Sequence, residues 1–240
     1  HTHPVVARAR AAGCEILCDV ELLVRAAPDA RYVGITGTNG KSTTTALIGH
    51  ILETLEIASD VGGNIGAPAL KLEGLGRDGV YVLEVSSYQL DLLPRAVFDV
   101  AILLNITPDH LDRHGGMDGY VAAKRRIFDG QNDTQTAIVG IDDNYTRDIF
   151  DAVRARHTPS MIPVSTRDAC AGGIYLENGM IVDDRDGLAE PIVDVRTLPA
   201  LPGEHNAQNI AAAYAAVTAI LNDRMAKTRA AITAAIASFP

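Results

Sequence analysis

The chain has 240 residues, enough to bury a full core as one large domain or two small ones. It carries 21 Lys and Arg against 30 Asp and Glu; the formal net charge of −9 leaves no electrostatic footprint for nucleic acid. No apolar run approaches the roughly 20 residues of a membrane span. The three cysteines, Cys14, Cys18 and Cys170, match neither a disulfide framework nor a zinc spacing, so a reducing cytoplasm is expected.

Apolar β-branched runs alternate with helical patterns, which predicts an α/β fold: a mostly parallel sheet with helices on both faces. The first strand is expected at 32–36 and the first helix of that sheet at 42–55, with Gly37-Thr38-Asn39-Gly40-Lys41-Ser42-Thr43 between them. Strand, glycine-rich turn, Lys-Ser and helix is the arrangement in which backbone N–H groups and a helix N-terminus cradle phosphates. The lysine then reaches the outer phosphates and the hydroxyl after it takes magnesium. The first glycine stands three residues before Gly40 rather than five, a shortened loop that belongs to particular ATP-dependent ligases more than to GTPases.

A second strand at 58–61 leads into Gly62-Gly63-Asn64-Ile65-Gly66, whose glycines permit close backbone approach to a ligand while Asn64 offers an amide. Alone, that segment reads as a turn. The third strand, 80–85, carries Glu84 near its end and is followed by Ser86-Ser87-Tyr88-Gln89. A carboxylate in an apolar strand is costly to bury unpaired. Beside a phosphate loop, magnesium is its natural partner, with a structural ion pair as the alternative.

The fourth strand, 100–106, ends in Thr107-Pro108-Asp109-His110-Leu111-Asp112-Arg113-His114, where the density of titratable groups points to His110 as a ligand. In the helix expected over 117–129, Met117, Tyr120, Val121, Lys124, Ile127 and Phe128 fall on one stripe, so Lys124 points inward and Arg125 and Arg126 outward. Lysine is almost never fully buried without a partner; Lys124 therefore reads as a cleft lysine, with snorkelling along the rim as the alternative.

Further strands are expected at 137–141 and 163–165, and helices at 145–155, 206–221 and 228–237. Between 172 and 198 the pattern changes: 174–176 and 180–182 flank Glu177-Asn178-Gly179, a hairpin with an Asn-Gly turn, and 193–195 adds a third strand of a small antiparallel sheet. Pro202 to Asn209 opens a helix rich in amides, where Asn206 suits a cap and Asn209 a ligand such as an adenine edge.

Segments 36–43, 62–66, 84–90, 104–113, 120–124 and 203–209 together resemble the muramyl ligases, ATP-dependent enzymes that add amino acids to the peptidoglycan precursor. Residues 62–66 and 84–90 bring the chain nearest the D-glutamate-adding branch and argue against a folylpolyglutamate synthetase, which shares the shortened loop and the lysine-metal site. The resemblance implies that Gly37, Thr38, Asn39, Gly40, Lys41, Ser42 and Thr43 hold the phosphates of ATP. It implies Ser42 and Glu84 as ligands of one Mg2+, and His110 with a carbamylated Lys124 as ligands of a second; Lys41, His110 and Lys124 are then the catalytic set. Asn64, Ser86, Ser87 and Gln89 are implied along the acceptor UDP-N-acetylmuramoyl-L-alanine, and Asn209, with Asn206, at the adenine.

The reaction implied runs through an acyl phosphate to an amide with D-glutamate, in a monomer without nucleic-acid or membrane partners. Residues 1–28 are then a connection from an N-terminal UDP-binding domain and 29–240 the central ATP-binding domain, with a further domain beyond Pro240. A start at His1 and a stop just after a helical pattern fit a piece of a longer protein. Such a piece is expected to bind nucleotide without turnover.

Overall fold

Strands β1 (Arg31–Thr36), β2 (Ser59–Gly63), β3 (Val80–Glu84), β4 (Val100–Leu103), β5 (Thr136–Gly140), β6 (Ser160–Ser165), β7 (Ile174–Glu177), β8 (Met180–Asp183) and β9 (Glu190–Asp194) join in one sheet. Their order is β2-β3-β1-β4-β5-β6-β7-β8-β9. The structure, a computed structural model, describes residues 3–156, 159–222 and 226–240. Pairing is parallel from β2 across to β7 and antiparallel from β7 to β9. The expected antiparallel part is thus present, and it continues the parallel part edge to edge. Its hairpin turns at Asn178 and Gly179, whose φ values of 50° and 82° are the two positive angles that a type I′ turn requires.

The strand interiors have no polar face because both faces are covered. Val33, Ile35, Val80, Val82, Val100 and Ile102 pack under α3 (Lys41–Thr54), α8 (Glu204–Ile220) and α9 (Ala226–Ala237). The alternate residues Tyr32, Tyr81, Leu83, Ala101 and Leu103 pack on the other side. Their partners there are α2 (Asp19–Ala26), α4 (Ser87–Leu90), α6 (Met117–Arg125) and α7 (Asn144–Arg154). Period two along each strand sorts the side chains into two cores. Among the described residues no helix is long and apolar enough to cross a membrane.

Residues 1–28 include two helices of different character. The first, α1 (Pro4–Ala11), buries no residue. The second, α2, buries Val20 and Leu23 in the core, and its buried Glu21 accepts hydrogen bonds from the backbone of Arg95 and Ala96 and from Arg25. Predicted boundaries moved where chain packing overrides periodicity. β4 stops at Leu103, since the Ile106 N–H is taken by the Asp143 carboxylate; the helix expected to Asp129 tightens into a 3-10 turn after Arg125. Gly62 and Gly63, expected in a turn, are the last residues of β2. Their glycine character serves the sheet: at Gly63, φ 100°, a Cβ would run into the Glu84 carbonyl of β3.

A buried ion pair fastens β8 to α8. Asp183 accepts from Arg185 Nη2 at 2.6 Å and Nε at 2.8 Å, and from the Tyr214 hydroxyl at 3.2 Å; Arg185 Nη1 reaches Thr218 Oγ1 at 2.9 Å. Burial pushes the Asp183 carboxyl up, but the Arg185 fork outweighs it and holds the group below the usual carboxylate range. A depressed pKa stabilises the fold above the unfolded value of about 3.9 and loses that contribution as pH falls through the folded value. The pair therefore fails only in acid. Asp183→Ala, which leaves Arg185 buried without its carboxylate, is expected to cost about 3–5 kcal/mol in denaturant unfolding at pH 7. A loss under about 1 kcal/mol, the range of an exposed pair, would contradict this account.

Candidate active site

β1 lies between β3 and β4, the point at which strand order reverses, and ligands gather in the crevice at the carboxyl ends of such strands. The glycine-rich loop sits there. Gly40 is left-handed at φ 84° and ψ −10°, and a Cβ on it would collide with the Asn209 side-chain oxygen. Thr38 is pinned through its hydroxyl, which accepts from the Thr107 N–H at 3.0 Å and lies 3.2 Å from the Tyr120 hydroxyl. Asn39 is exposed, yet its N–H and carbonyl are both held by the Asn105 amide, at 2.9 and 3.2 Å. Lys41 opens α3 and folds back to donate to the Gly37 and Thr38 carbonyls, at 3.0 Å each. Thr43 follows in the first turn, half-buried.

Glu84, at the carboxyl end of β3, is 3% exposed and, among the described residues, accepts only from neutral groups: Ser42 Oγ at 2.7 Å and Asn64 Nδ2 at 2.9 Å. A buried carboxylate without a cationic partner, beside a hydroxyl in a phosphate loop, is a donor set for a hard divalent ion. Among the described residues no three His, Cys, Asp or Glu converge to hold a metal by themselves. Phosphate oxygens and water must complete any magnesium shell here.

Lys124 points inward as its helical stripe predicts and is 2% exposed, while Arg125 and Arg126 are exposed. Its Nζ donates to the Gly37 carbonyl at 2.8 Å and lies 4.7 Å from the centre of the Tyr120 ring. Two ammonium groups thus share one carbonyl. Burial, and next the charge of Lys41, push Lys124 down to about 7, against the opposing pull of Asp109 and Glu84.

His110 is left-handed at φ 50°, an uncommon conformation outside glycine that turns its ring to Asp109, 3.4 Å away, and onto Tyr88. No hydrogen bond or ion pair among the described residues joins it to Lys124. His114, at the end of α5 (Leu111–His114), lies deeper. Its Nε2 is 3.0 Å from Ser87 Oγ and its ring stacks on Tyr88. Burial holds this imidazole below its usual range, while Asp91 pulls the other way.

The candidates for the acceptor and the adenine are distributed unevenly. Asn64 is exposed beside Glu84. Ser86 and Gln89 form a capping box at the start of α4, and Gln89 Nε2 also donates to Asp19. Ser87 is buried against His114. Asn209 lines a cleft of about 250 Å³ with Asn39, Gly40, Arg167, His205 and Gln208. It accepts from the Thr44 hydroxyl at 3.3 Å and donates to Asn206 at 3.0 Å. Asn206 stands behind it: Gly203 is the helix cap, and the Asn206 amide donates to the Pro202 carbonyl.

A family model described as the Mur ligase middle domain matches residues 35–217, about three quarters of the chain. The chain belongs to this family. A UDP-N-acetylmuramoylalanine–D-glutamate ligase of Rhodospirillum rubrum is 52% identical over 214 residues, which are 89% of this chain and 45% of that protein. The chain spans about half the length of the curated relatives it matches. Two solved structures share the fold. One, a UDP-N-acetylmuramoyl-L-alanyl-D-glutamate–2,6-diaminopimelate ligase, has a TM-score of 0.69 at 21% identity, covering 88% of this chain and 46% of that one. The MurF ligase of Thermotoga maritima in complex with ADP has a TM-score of 0.60 at 18% identity, covering 91% and 50%.

Several groups that shape this candidate site carry only a weak signal in the sequence. Asn105 ends an apolar run, and His114 closes a cluster in which His110 drew attention. The Tyr120 hydroxyl on Thr38 was hidden because Tyr120 reads as core. Only the density of polar residues after β4 signalled them.

Proposed function

We propose that residues 29–240 are the ATP-binding domain of a ligase that joins D-glutamate to UDP-N-acetylmuramoyl-L-alanine. The observation that carries this reading is the convergence of Lys41 and Lys124 on the Gly37 carbonyl, beside the Glu84 carboxylate, which has no ion-pair partner among the described residues. Such a centre suits attack of one anion on another. The acceptor's terminal carboxylate attacks the γ-phosphorus of ATP, giving an acyl phosphate and ADP. The D-glutamate amine then attacks the acyl carbon, making the amide and releasing phosphate and a proton.

In this scheme the loop N–H groups and the N-terminus of α3 hold phosphate oxygens. Lys41 exchanges the Gly37 and Thr38 carbonyls for the outer phosphates, where its charge stabilises the transferring group. Ser42 and Glu84 would hold one magnesium ion, and His110 with carbamylated Lys124 a second. Magnesium bound there neutralises phosphate charge. Asn64, Ser86, Ser87 and Gln89 line the acceptor path, the last three chiefly by shaping the turn after β3. Asn209, braced by Asn206, meets the adenine, and the structure of the Thermotoga maritima neighbour in complex with ADP supports an adenine nucleotide as ligand. We assign the uridine diphosphate and D-glutamate to segments outside the chain, with residues 1–28 as a connection, in a cytoplasmic monomer.

The test is phosphate release by the intact protein. Release is expected only with ATP, magnesium, UDP-N-acetylmuramoyl-L-alanine and D-glutamate together, while the 240-residue chain alone binds ATP weakly and forms no amide. Release that required a folate and L-glutamate would instead assign a folylpolyglutamate synthetase. Amide formation by the 240-residue chain alone would sink the assignment of D-glutamate to other segments.

A further inference from the structure

We infer that Asn105 and Gln208 are positioning residues, a two-amide relay that fixes the shape of the phosphate loop from the base end of the cleft. The inference rests on the nucleotide reading above and adds to it a mechanical link between two parts of the site.

The geometry is specific. The Asn105 side chain grips Asn39 at two points, accepting from its N–H at 2.9 Å and donating to its carbonyl at 3.2 Å. The two bonds hold the peptide units on either side of the Asn39 Cα, 38–39 and 39–40, and so orient both. The Asn105 backbone carbonyl takes the Thr38 N–H at 2.9 Å, so successive loop residues hang on one asparagine. The second amide hydrogen of Asn105 goes to Gln208 Oε1 at 2.9 Å, on the first turns of α8.

Gln208 is itself buried, and its seat is cut to shape. At Gly140, the end of β5, a Cβ would lie 2.6 Å from Gln208 Nε2 and would strike the Leu104 carbonyl. One residue on, Asn209 bonds Thr44 and packs on Gly40. The start of α8 therefore holds the loop on both sides, at Asn39 through Asn105 and at Gly40 directly.

An array of backbone donors stabilises an anion only when its members are aimed beforehand, because re-aiming them costs free energy at the moment of binding. Asn39 is exposed and lies in the middle of the loop; among the described residues nothing besides Asn105 bonds its N–H or its carbonyl. Gln208 limits the rotation of the Asn105 amide. A residue at the base end thus sets the affinity of the phosphate end.

Magnesium tripolyphosphate, which has the phosphates and no base, is the discriminating probe, titrated calorimetrically into the intact protein. Gln208→Met keeps the side-chain length and removes the acceptor. It is expected to weaken tripolyphosphate binding about fivefold to tenfold, the worth of one hydrogen bond. Asn105→Ala is expected to weaken it about tenfold or more, with the double variant no worse than Asn105→Ala within about twofold, since the two residues act in series. Affinity for the UDP-N-acetylmuramoyl-L-alanine acceptor stays unchanged in all three. Unchanged tripolyphosphate binding with weakened ATP binding in Gln208→Met would make Gln208 a base contact only and overturn the relay. Parallel loss of tripolyphosphate and of acceptor binding would reduce the pair to general structural support, also against the relay. Lys41→Ala is the control: if it leaves tripolyphosphate binding intact, the phosphate-loop reading fails, and the relay with it.

Discussion

Lys41→Ala is expected to lower turnover of the intact enzyme by about 10²–10³, the usual loss for one pre-organised electrostatic contact. Without nucleotide the Lys41 ammonium already has partners. It rests on the Gly37 and Thr38 carbonyls, neutral acceptors that the loop can spare. An ammonium is attracted more strongly to the full negative charge of phosphate oxygens than to carbonyl dipoles, so a triphosphate draws the side chain off these carbonyls. The gain grows as negative charge shifts during phosphoryl transfer, and a contact that strengthens in the transition state raises kcat rather than merely lowering KM. The fold should tolerate the loss, because the site is only half-buried and water can take the place of the ammonium on the Gly37 and Thr38 carbonyls. A kcat within about threefold of wild type would remove Lys41 from the phosphate site.

Much of this site was legible because its signals are local. The loop 37–43 declares itself by its glycines and Lys-Ser, the inward aim of Lys124 by a stripe of apolar neighbours, and the hairpin by Asn178-Gly179. The groups that escaped depend on partners far along the chain. Asn105 meets Asn39 across 66 residues, and His114 meets Ser87 across 27, only because β1, β3 and β4 lie side by side. Strand order is a property of the packed sheet, and no periodicity in a single strand encodes it. The same holds for Gly62 and Gly63, whose glycine character answers to the carbonyls of Ala67 and Glu84 respectively. α2 escaped for a related reason. Eight residues with two core side chains make a weak pattern, and the partners of Glu21 lie at 95 and 96.

Lys124→Ala is expected to be almost inactive, and a short carboxylate such as acetate in the assay to restore part of the activity. The charge balance of the site requires more than an ammonium there. Lys124 and Lys41 converge on the Gly37 carbonyl, so a second positive charge there would oppose a magnesium ion held by Ser42 and Glu84. Carbon dioxide reacts with the neutral amine alone: the nitrogen lone pair forms the N–C bond, and a proton leaves to solvent. An ordinary lysine with pKa about 10.4 is roughly one part in a thousand neutral near pH 7.4. Burial and Lys41 push Lys124 down to about 7, which makes the neutral form a major species at physiological pH. The carbamate keeps one N–H for the Gly37 carbonyl and turns repulsion by Lys41 into attraction. Its oxygens are ligands of the kind magnesium prefers. The pH dependence follows in sign: modification, and the activity that depends on it, should rise as pH climbs through about 7 in enzyme equilibrated with carbon dioxide. A lysine that only fills space and bonds one carbonyl makes the opposite forecast, with a modest loss in Lys124→Ala and no response to acetate. Rescue that saturates with acetate in Lys124→Ala, and is absent in Lys41→Ala, would tie the missing group to an oxygen ligand at this position rather than to lost positive charge.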